Sequence, residues 1–245
     1  MSQTTFTQQV LKDIHDFLKH NGKLFANERD LQMNLAAYLK CTRQYDVEVE
    51  CHVPSDILSS LIPQSLSERC IYYPWFQINS DKPQEMYVDI VVSNGEEYVP
   101  IELKYKKKEL KGDVVLFGQN MGTGVILKGD GAHDFGRYGF WKDVRRVELL
   151  VKSFVNVKNG IVLFVTNDES YKTASVANTN SVNLAMGDGT ETYHKGTNCC
   201  WPFNPLMTES YKSCPCFKLE DEHDVNWKGY TFSGVDFHSA EVVVF

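Results

Sequence analysis

Residues 86–105 read MYVDIVVSNGEEYVPIELKY, and the organisation of the whole chain can be built outward from them. Val88, Ile90 and Val92 alternate along the first half, and Val99, Ile101 and Leu103 alternate along the second. Period-two patterning of this kind marks two strands that each turn one face to a core. Between them lies Asn94-Gly95, a pair that tolerates the positive φ angles of a tight hairpin turn. A turn centred there sets Val92 against Glu97, Ile90 against Val99 and Asp89 against Pro100. Side chains alternate across a strand, so Asp89, Glu102 and Lys104 converge on the face opposite the apolar one. Asp89 and Glu102 are then diagonal neighbours, about 7–8 Å apart at the backbone.

Two carboxylates and a lysine inside so apolar a strand pair need partners, because an unpaired buried charge is costly. A surface ion pair of Lys104 with Glu102 or Asp89 is the plain alternative, and the apolar flanking residues argue against it. A divalent cation held between the carboxylates would satisfy them. Mg²⁺ favours hard oxygen ligands, takes one or two carboxylates and keeps several waters.

Asp89 followed by Glu102-Leu103-Lys104 on the next strand resembles the PD-(D/E)xK motif of the restriction-endonuclease-like nuclease superfamily, with Val88 where the proline usually stands. The resemblance implies an α/β fold with a central mixed β-sheet flanked by helices, and a metal-dependent phosphodiesterase that acts on nucleic acid, DNA foremost. It implies Mg²⁺ (or Mn²⁺) bound by Asp89, Glu102 and the Leu103 carbonyl, with Lys104 placing or deprotonating the attacking water. An acidic residue on the helix before the core sheet often completes such a site, which brings in Glu28. A polar residue after the motif sometimes supports it, which brings in Gln119. The alternative is a non-catalytic member of the same fold that binds nucleic acid or a protein partner.

On the N-terminal side, Phe6, Val10, Ile14, Phe17 and Leu18 form one helical stripe within residues 4–20, and Asn21-Gly22 is a stop signal. A second helix starts at Asn27, a good cap, with Leu31, Leu35, Tyr38 and Leu39 as its apolar stripe. Glu28 and Gln32 fall on that stripe too. A first-turn glutamate also suits the helix dipole and can stay wet, so Glu28 has both a structural and a site reading. Residues 45–53 alternate as a half-buried strand, with Glu50 on its polar side, able to reach the site or merely to meet solvent. A short helix is expected before Pro63, and IYYPWFQI at 71–78 reads as an edge strand whose Tyr72, Tyr73, Trp75 and Phe76 serve packing or base stacking.

On the C-terminal side, Lys106, Lys107, Lys108 and Lys111 form a charged connection, either solvated or set to meet a phosphate backbone. The glycine-rich run 118–139 fits no phosphate-cradling pattern and reads as a flexible loop. Phe140, Val144, Val147, Val151 and Phe154 define a helix whose Lys142, Arg145, Arg146 and Lys152 are expected on an exposed basic side. IVLFVT at 161–166 reads as a strand buried on both faces.

These elements describe a single domain over 1–245: a nuclease-like core at about 24–170, a polar insertion at 171–226, and closing strands at 227–245. The insertion carries His194, Cys199, Cys200, Cys214, Cys216 and His223, but no C-x-x-C pair, so free thiols are favoured over zinc. With no secretory signal visible, the seven cysteines are read as reduced thiols of a cytoplasmic protein. No apolar run approaches the roughly 20 residues that cross a bilayer, so no membrane partner is expected. A net charge of -7 argues against a broad basic surface but not against a local basic track. Oligomeric state stays open, a homodimer included.

Overall fold

A computed structural model describes residues 4–62, 85–173, 182–187, 192–193, 196–201 and 214–245. The expected strand at 71–78 with its aromatic cluster, and His194, lie outside the described residues.

The chain opens with α1 (Phe6–His20) and α2 (Glu28–Cys41). Thr5 and Gln8 close a capping box on α1, and the Asn27 side chain accepts from the Asp30 N–H on α2. Then come β1 (Asp46–Val53), a short α3 (Ser55–Leu61), β2 (Met86–Ser93) and β3 (Tyr98–Lys106). A hairpin of β4 (Leu110–Leu116) and β5 (Gln119–Leu127) follows, then α4 (His133–Ser153) and β6 (Gly160–Thr166). Among its described residues the insertion holds four two-residue strands, β7 (Thr192–Tyr193), β8 (Asn198–Cys199), β9 (Phe217–Lys218) and β10 (His223–Asp224). The chain closes with β11 (Asn226–Phe232) and β12 (Val235–Val244).

Six strands form one sheet in the order β1-β2-β3-β6-β12-β11. Only β3 and β6 run parallel; the other neighbours are antiparallel, so the sheet is mixed. One face packs Ile90, Val92, Ile101, Leu103, Ile161 and Leu163 against Val10, Ile14, Leu31 and Leu35 of α1 and α2. The other packs Val162, Phe164, Ala240 and Val242 against Phe140, Trp141, Val144 and Val147 of α4. The result is a three-layer α/β sandwich. Every residue of β6 is buried, as its unbroken apolar run predicts, and each large side chain there contributes roughly 1.5–3 kcal/mol by leaving water.

The β2–β3 register differs from the expected one by two residues. Val92 faces Val99 and Ile90 faces Ile101, joined by a four-residue loop, 94–97. The Asn94 side chain accepts from the Glu96 and Glu97 N–H groups, and Gly95 takes φ +94°. This Asx-type turn competes with the two-residue turn because the Asn side chain stands in for a backbone acceptor. A shift of two preserves face parity, whereas a shift of one would have inverted it. Val88 departs from its expected face: it joins Leu58, Leu149 and Leu150 rather than the α1–α2 core. The β1–β2 ladder skips Glu50 and Asp89, and Glu50 adopts φ +53°, so regular alternation is interrupted there.

Two other expectations are corrected. The glycine-rich run is no loop: residues 119–127 form a strand and α4 begins at His133. The closing strands pair as a hairpin that adds to the sheet, with β11 at its edge and β12 beside β6. Cys200 and Cys216 are joined as a disulfide, while Cys199 is buried and Cys41 exposed, so the insertion does not hold free thiols throughout. No helix of the described residues is long and apolar enough to cross a membrane.

Candidate functional site

The site sits where the sheet opens. Pairing of β2 with β3 ends at Ile90 and Ile101, and beyond it β3 has lost its neighbour on that edge. Buried N–H groups left in such a gap must find acceptors. The Leu103 N–H donates to Asp89 Oδ2 at 2.6 Å, and the Tyr105 N–H donates to Glu28 Oε2 at 2.8 Å. Gln32, one turn along α2 from Glu28, donates to the Asp89 carbonyl at 2.7 Å. The first two turns of α2 therefore bring Glu28 and Gln32 to the open edges of β3 and β2.

Glu102 and Lys104 project toward α4. Lys104 Nζ lies 2.6 Å from Asp143 Oδ2 and donates to the Leu103 carbonyl at 3.1 Å. Arg146 reaches Glu102 Oε1 at 3.1 Å and Asp143 Oδ1 at 3.3 Å. Glu102 is fully buried, and neither of its oxygens finds an N–H or O–H donor in good geometry.

The electrostatics follow from four carboxyl groups, Glu28, Asp89, Glu102 and Asp143, sharing two cations, Lys104 and Arg146. Burial pushes the Glu102 carboxyl well above the usual range, and the nearby Asp143 and Asp89 add to this against the pull of Arg146. Burial also raises Asp89 and Glu28, opposed in both by Lys104. Asp143 goes the other way: burial would raise it, but Lys104 and Arg146 hold it below the usual carboxylate range. Burial disfavours the ammonium of Lys104, yet Asp143, Glu28 and Glu102 outweigh this and raise its pKa. The charged form is thus favoured at Asp143 and the neutral form at Glu102, as expected for acids crowded into a dry site.

The structure therefore brings Asp89, Glu102, Lys104 and Glu28 together, with the Leu103 backbone between them. Glu50 lies outside: it is exposed and bonded to Arg29 at 2.6 Å, touching the site only through Gln32 at 3.0 Å. Gln119 is remote from the cluster in chain terms, at the exposed turn of the β4–β5 hairpin opposite Leu116, and not on a helix. Asp143 and Arg146 escaped the sequence reading. Arg145 and Arg146 are not on an exposed basic side: Arg145 is fully buried against Glu148, and Arg146 is turned into the cluster. The available signal was the spacing of Asp143 with Arg146 and of Arg145 with Glu148, two opposite-charge pairs three residues apart on one helix.

Among the described residues, no three or more His, Cys, Asp or Glu side chains are grouped as a ready-made metal ligand set. The donor set to be weighed is smaller, two carboxylates and a backbone carbonyl, and its chemistry suits a hard cation that retains water. The buried carboxylate of Glu102, whose one close cation is Arg146 and which makes no well-aligned hydrogen bond, is the feature that fits one. No family model, curated protein or solved structure matches the chain.

Proposed function

We propose that this protein is a metal-dependent nuclease that hydrolyses phosphodiester bonds, with DNA as substrate, on a restriction-endonuclease-like core. The observation that carries the reading is the charge deficit around Asp89, Glu102 and Lys104. Fully ionised, the cluster's four acids exceed its two bases by the charge of one divalent cation. Asp89, Glu102 and the Leu103 carbonyl would hold Mg²⁺ or Mn²⁺, and Glu28 would act through water. A bound divalent cation lowers the pKa of its water and stabilises negative charge on phosphate oxygens.

The chain's own residues supply the rest. Asp143 keeps Lys104 protonated and fixed beside the Leu103 carbonyl. In that position the ammonium can orient a water and offset charge as it develops on the phosphate. Arg146 spans Glu102 and Asp143, which limits where either carboxylate can turn. Glu28 and Asp89, tied to β3 N–H groups, are held in place without spending both oxygens. Phosphoryl transfer asks mainly for such positioning and charge.

A second reading has its own observation. Lys104 and Arg146 already neutralise Asp143 and approach Glu102, so the cluster could be an internal ion-pair lock in a non-catalytic binding protein. Incubation with linear, circular and single-stranded DNA, with Mg²⁺, Mn²⁺ or chelator, separates the two. Lys104→Ala is expected to abolish cation-dependent cleavage while the protein stays folded, because Asp143 retains Arg146. Full cleavage by that variant removes the lysine from the mechanism, and absence of cleavage by the unaltered protein favours the lock.

A further inference from the structure

The β4–β5 hairpin leaves the body of the protein directly after the strand that carries Glu102 and Lys104. Its root is fixed: Leu127 is buried in the α1–α2 core with Leu110 packed against it, and the Lys107 and Asp130 backbones bond across the base at 2.8 Å. Beyond the root its strands pair with each other, and they make no extensive contact with another described element. Seven residues of extended chain reach roughly 20–25 Å.

Three features of this arm point the same way. The first is its thinness. Gly112 faces Gly124 across the ladder, Ile126 lies over Gly112, and Val114 lies over Gly124. The pairing of small and apolar residues makes a narrow two-stranded ribbon, a shape the DNA major groove admits. The second is its tip. Phe117 and Gly118 take φ +51° and +80°, and Phe117 is fully exposed, flanked by exposed Val115, Leu116 and Met121. So much apolar surface held in water at the end of a projection marks a contact. The third is charge. Lys106, Lys107, Lys108, Lys111 and Lys128 gather at the root of an arm on a protein whose net charge is -7. Lys106, Lys108 and Lys128 have no salt-bridge partner among the described residues, whereas Lys111 pairs with Glu109. Lysines beside an apolar tip are complementary to a duplex, with phosphates outside and base steps within.

We infer that the β4–β5 arm is a duplex-DNA-binding element, with its root lysines on the phosphate backbone and its Phe117 tip in the groove against a base step. The inference rests on the nuclease reading for its choice of nucleic acid over a second copy of the chain or a lipid surface. It deepens that reading by making double-stranded DNA the substrate.

Binding is measured without metal, by fluorescence anisotropy of the full chain with a mixed-sequence duplex containing 2-aminopurine, across a salt series. Phe117→Ser is expected to weaken binding about tenfold, the loss of one apolar contact with a base, and to abolish the rise in 2-aminopurine emission that unstacking causes. Lys108→Gln with Lys128→Gln is expected to flatten the slope of log K against log salt by about 2, at roughly 0.9 per lost phosphate contact. The proposal is overturned if both variants bind the duplex as the unaltered protein does. It is overturned equally if Phe117→Ser splits a dimer in sedimentation, or releases the protein from anionic phospholipid vesicles, with duplex affinity unchanged. Cleavage is scored separately with Mg²⁺. Arm-dependent binding without cleavage sinks the nuclease reading and spares the arm; cleavage with arm-independent binding does the reverse.

Discussion

Glu102→Gln is the sharpest perturbation of the cluster, because the two readings of Glu102 predict opposite results. Burial pushes this carboxyl well above the usual carboxylate range, which favours its neutral form in the folded protein without metal. Glutamine has nearly the shape and polarity of that neutral acid. Metal-free stability, measured by urea unfolding with chelator, should therefore match the unaltered protein's to within about 1 kcal/mol near pH 4, before the unfolded glutamate ionises, and should not be lower at pH 7. A carboxyl whose folded pKa is raised gives its full stabilisation below the unfolded value and loses it as pH rises through the folded value. The variant should accordingly gain on the unaltered protein as pH is raised from about 5 to 9. With Mg²⁺ at a hundredfold excess over its dissociation constant, the unaltered protein should gain about 2.7 kcal/mol and the variant much less. Binding should also release protons, visible by calorimetry in buffers of different ionisation enthalpy. A metal-free loss of about 3–5 kcal/mol, with no response to Mg²⁺ in either protein, would show Glu102 to be an ionised partner of Arg146, and the metal-site argument would fail.

Three further changes probe the surroundings. Asp143→Asn should cost about 1–3 kcal/mol at neutral pH, less than a fully orphaned buried lysine would, because Glu28 and Glu102 remain near Lys104. Asp143 is held below its usual pKa, so the difference from the unaltered protein should vanish as unfolding is measured at pH values falling below about 4. Glu148→Gln should cost about 3–5 kcal/mol and expose residues 214–224 to limited proteolysis, because this buried carboxylate accepts from the Glu220 and Asp221 N–H groups, His223 and Arg145. Gly160→Ala should destabilise by about 1–3 kcal/mol in thermal melts, since a Cβ there would lie 2.2 Å from Val147 Cγ1 and 3.0 Å from Pro100 Cγ.

Strand periodicity carried far because it is a parity. Ile90, Ile101 and Leu103 could be set on one face, and Asp89, Glu102 and Lys104 gathered together, even with the hairpin register off by two, since an even slip keeps the paired residues on their faces; parity failed only at Val88, beyond the interruption at Asp89. Helix caps were legible for the same local reason: Thr5 and Asn27 act within one turn of themselves. The charged side of α4 was not. Sequence reading sends charge to solvent, which is the usual outcome, whereas Asp143, Arg145 and Glu148 are fully buried because their partners come from β3 and from the insertion, far away in sequence. The arm was hidden by its glycines. Gly112, Gly122 and Gly124 erase the alternation that marks a strand, and its turn is Phe117-Gly118 rather than a residue pair with a known hairpin preference.

The opening of the sheet supplies an architectural motive for most of the cluster. Once β2 leaves β3, two N–H groups and a carbonyl need partners, and Asp89, Glu28 and Gln32 provide them. Lys104 and Asp143 can likewise be understood as a pair that covers its own charges beneath α4. Glu102 is the exception. It caps no strand edge, and in its fully buried position between Ile101 and Leu103 its one close partner is Arg146 at 3.1 Å, which Asp143 also holds. Burial drives the acid there toward its neutral form against the pull of that arginine. Stability alone does not account for that choice of residue; a ligand that binds the ionised form would.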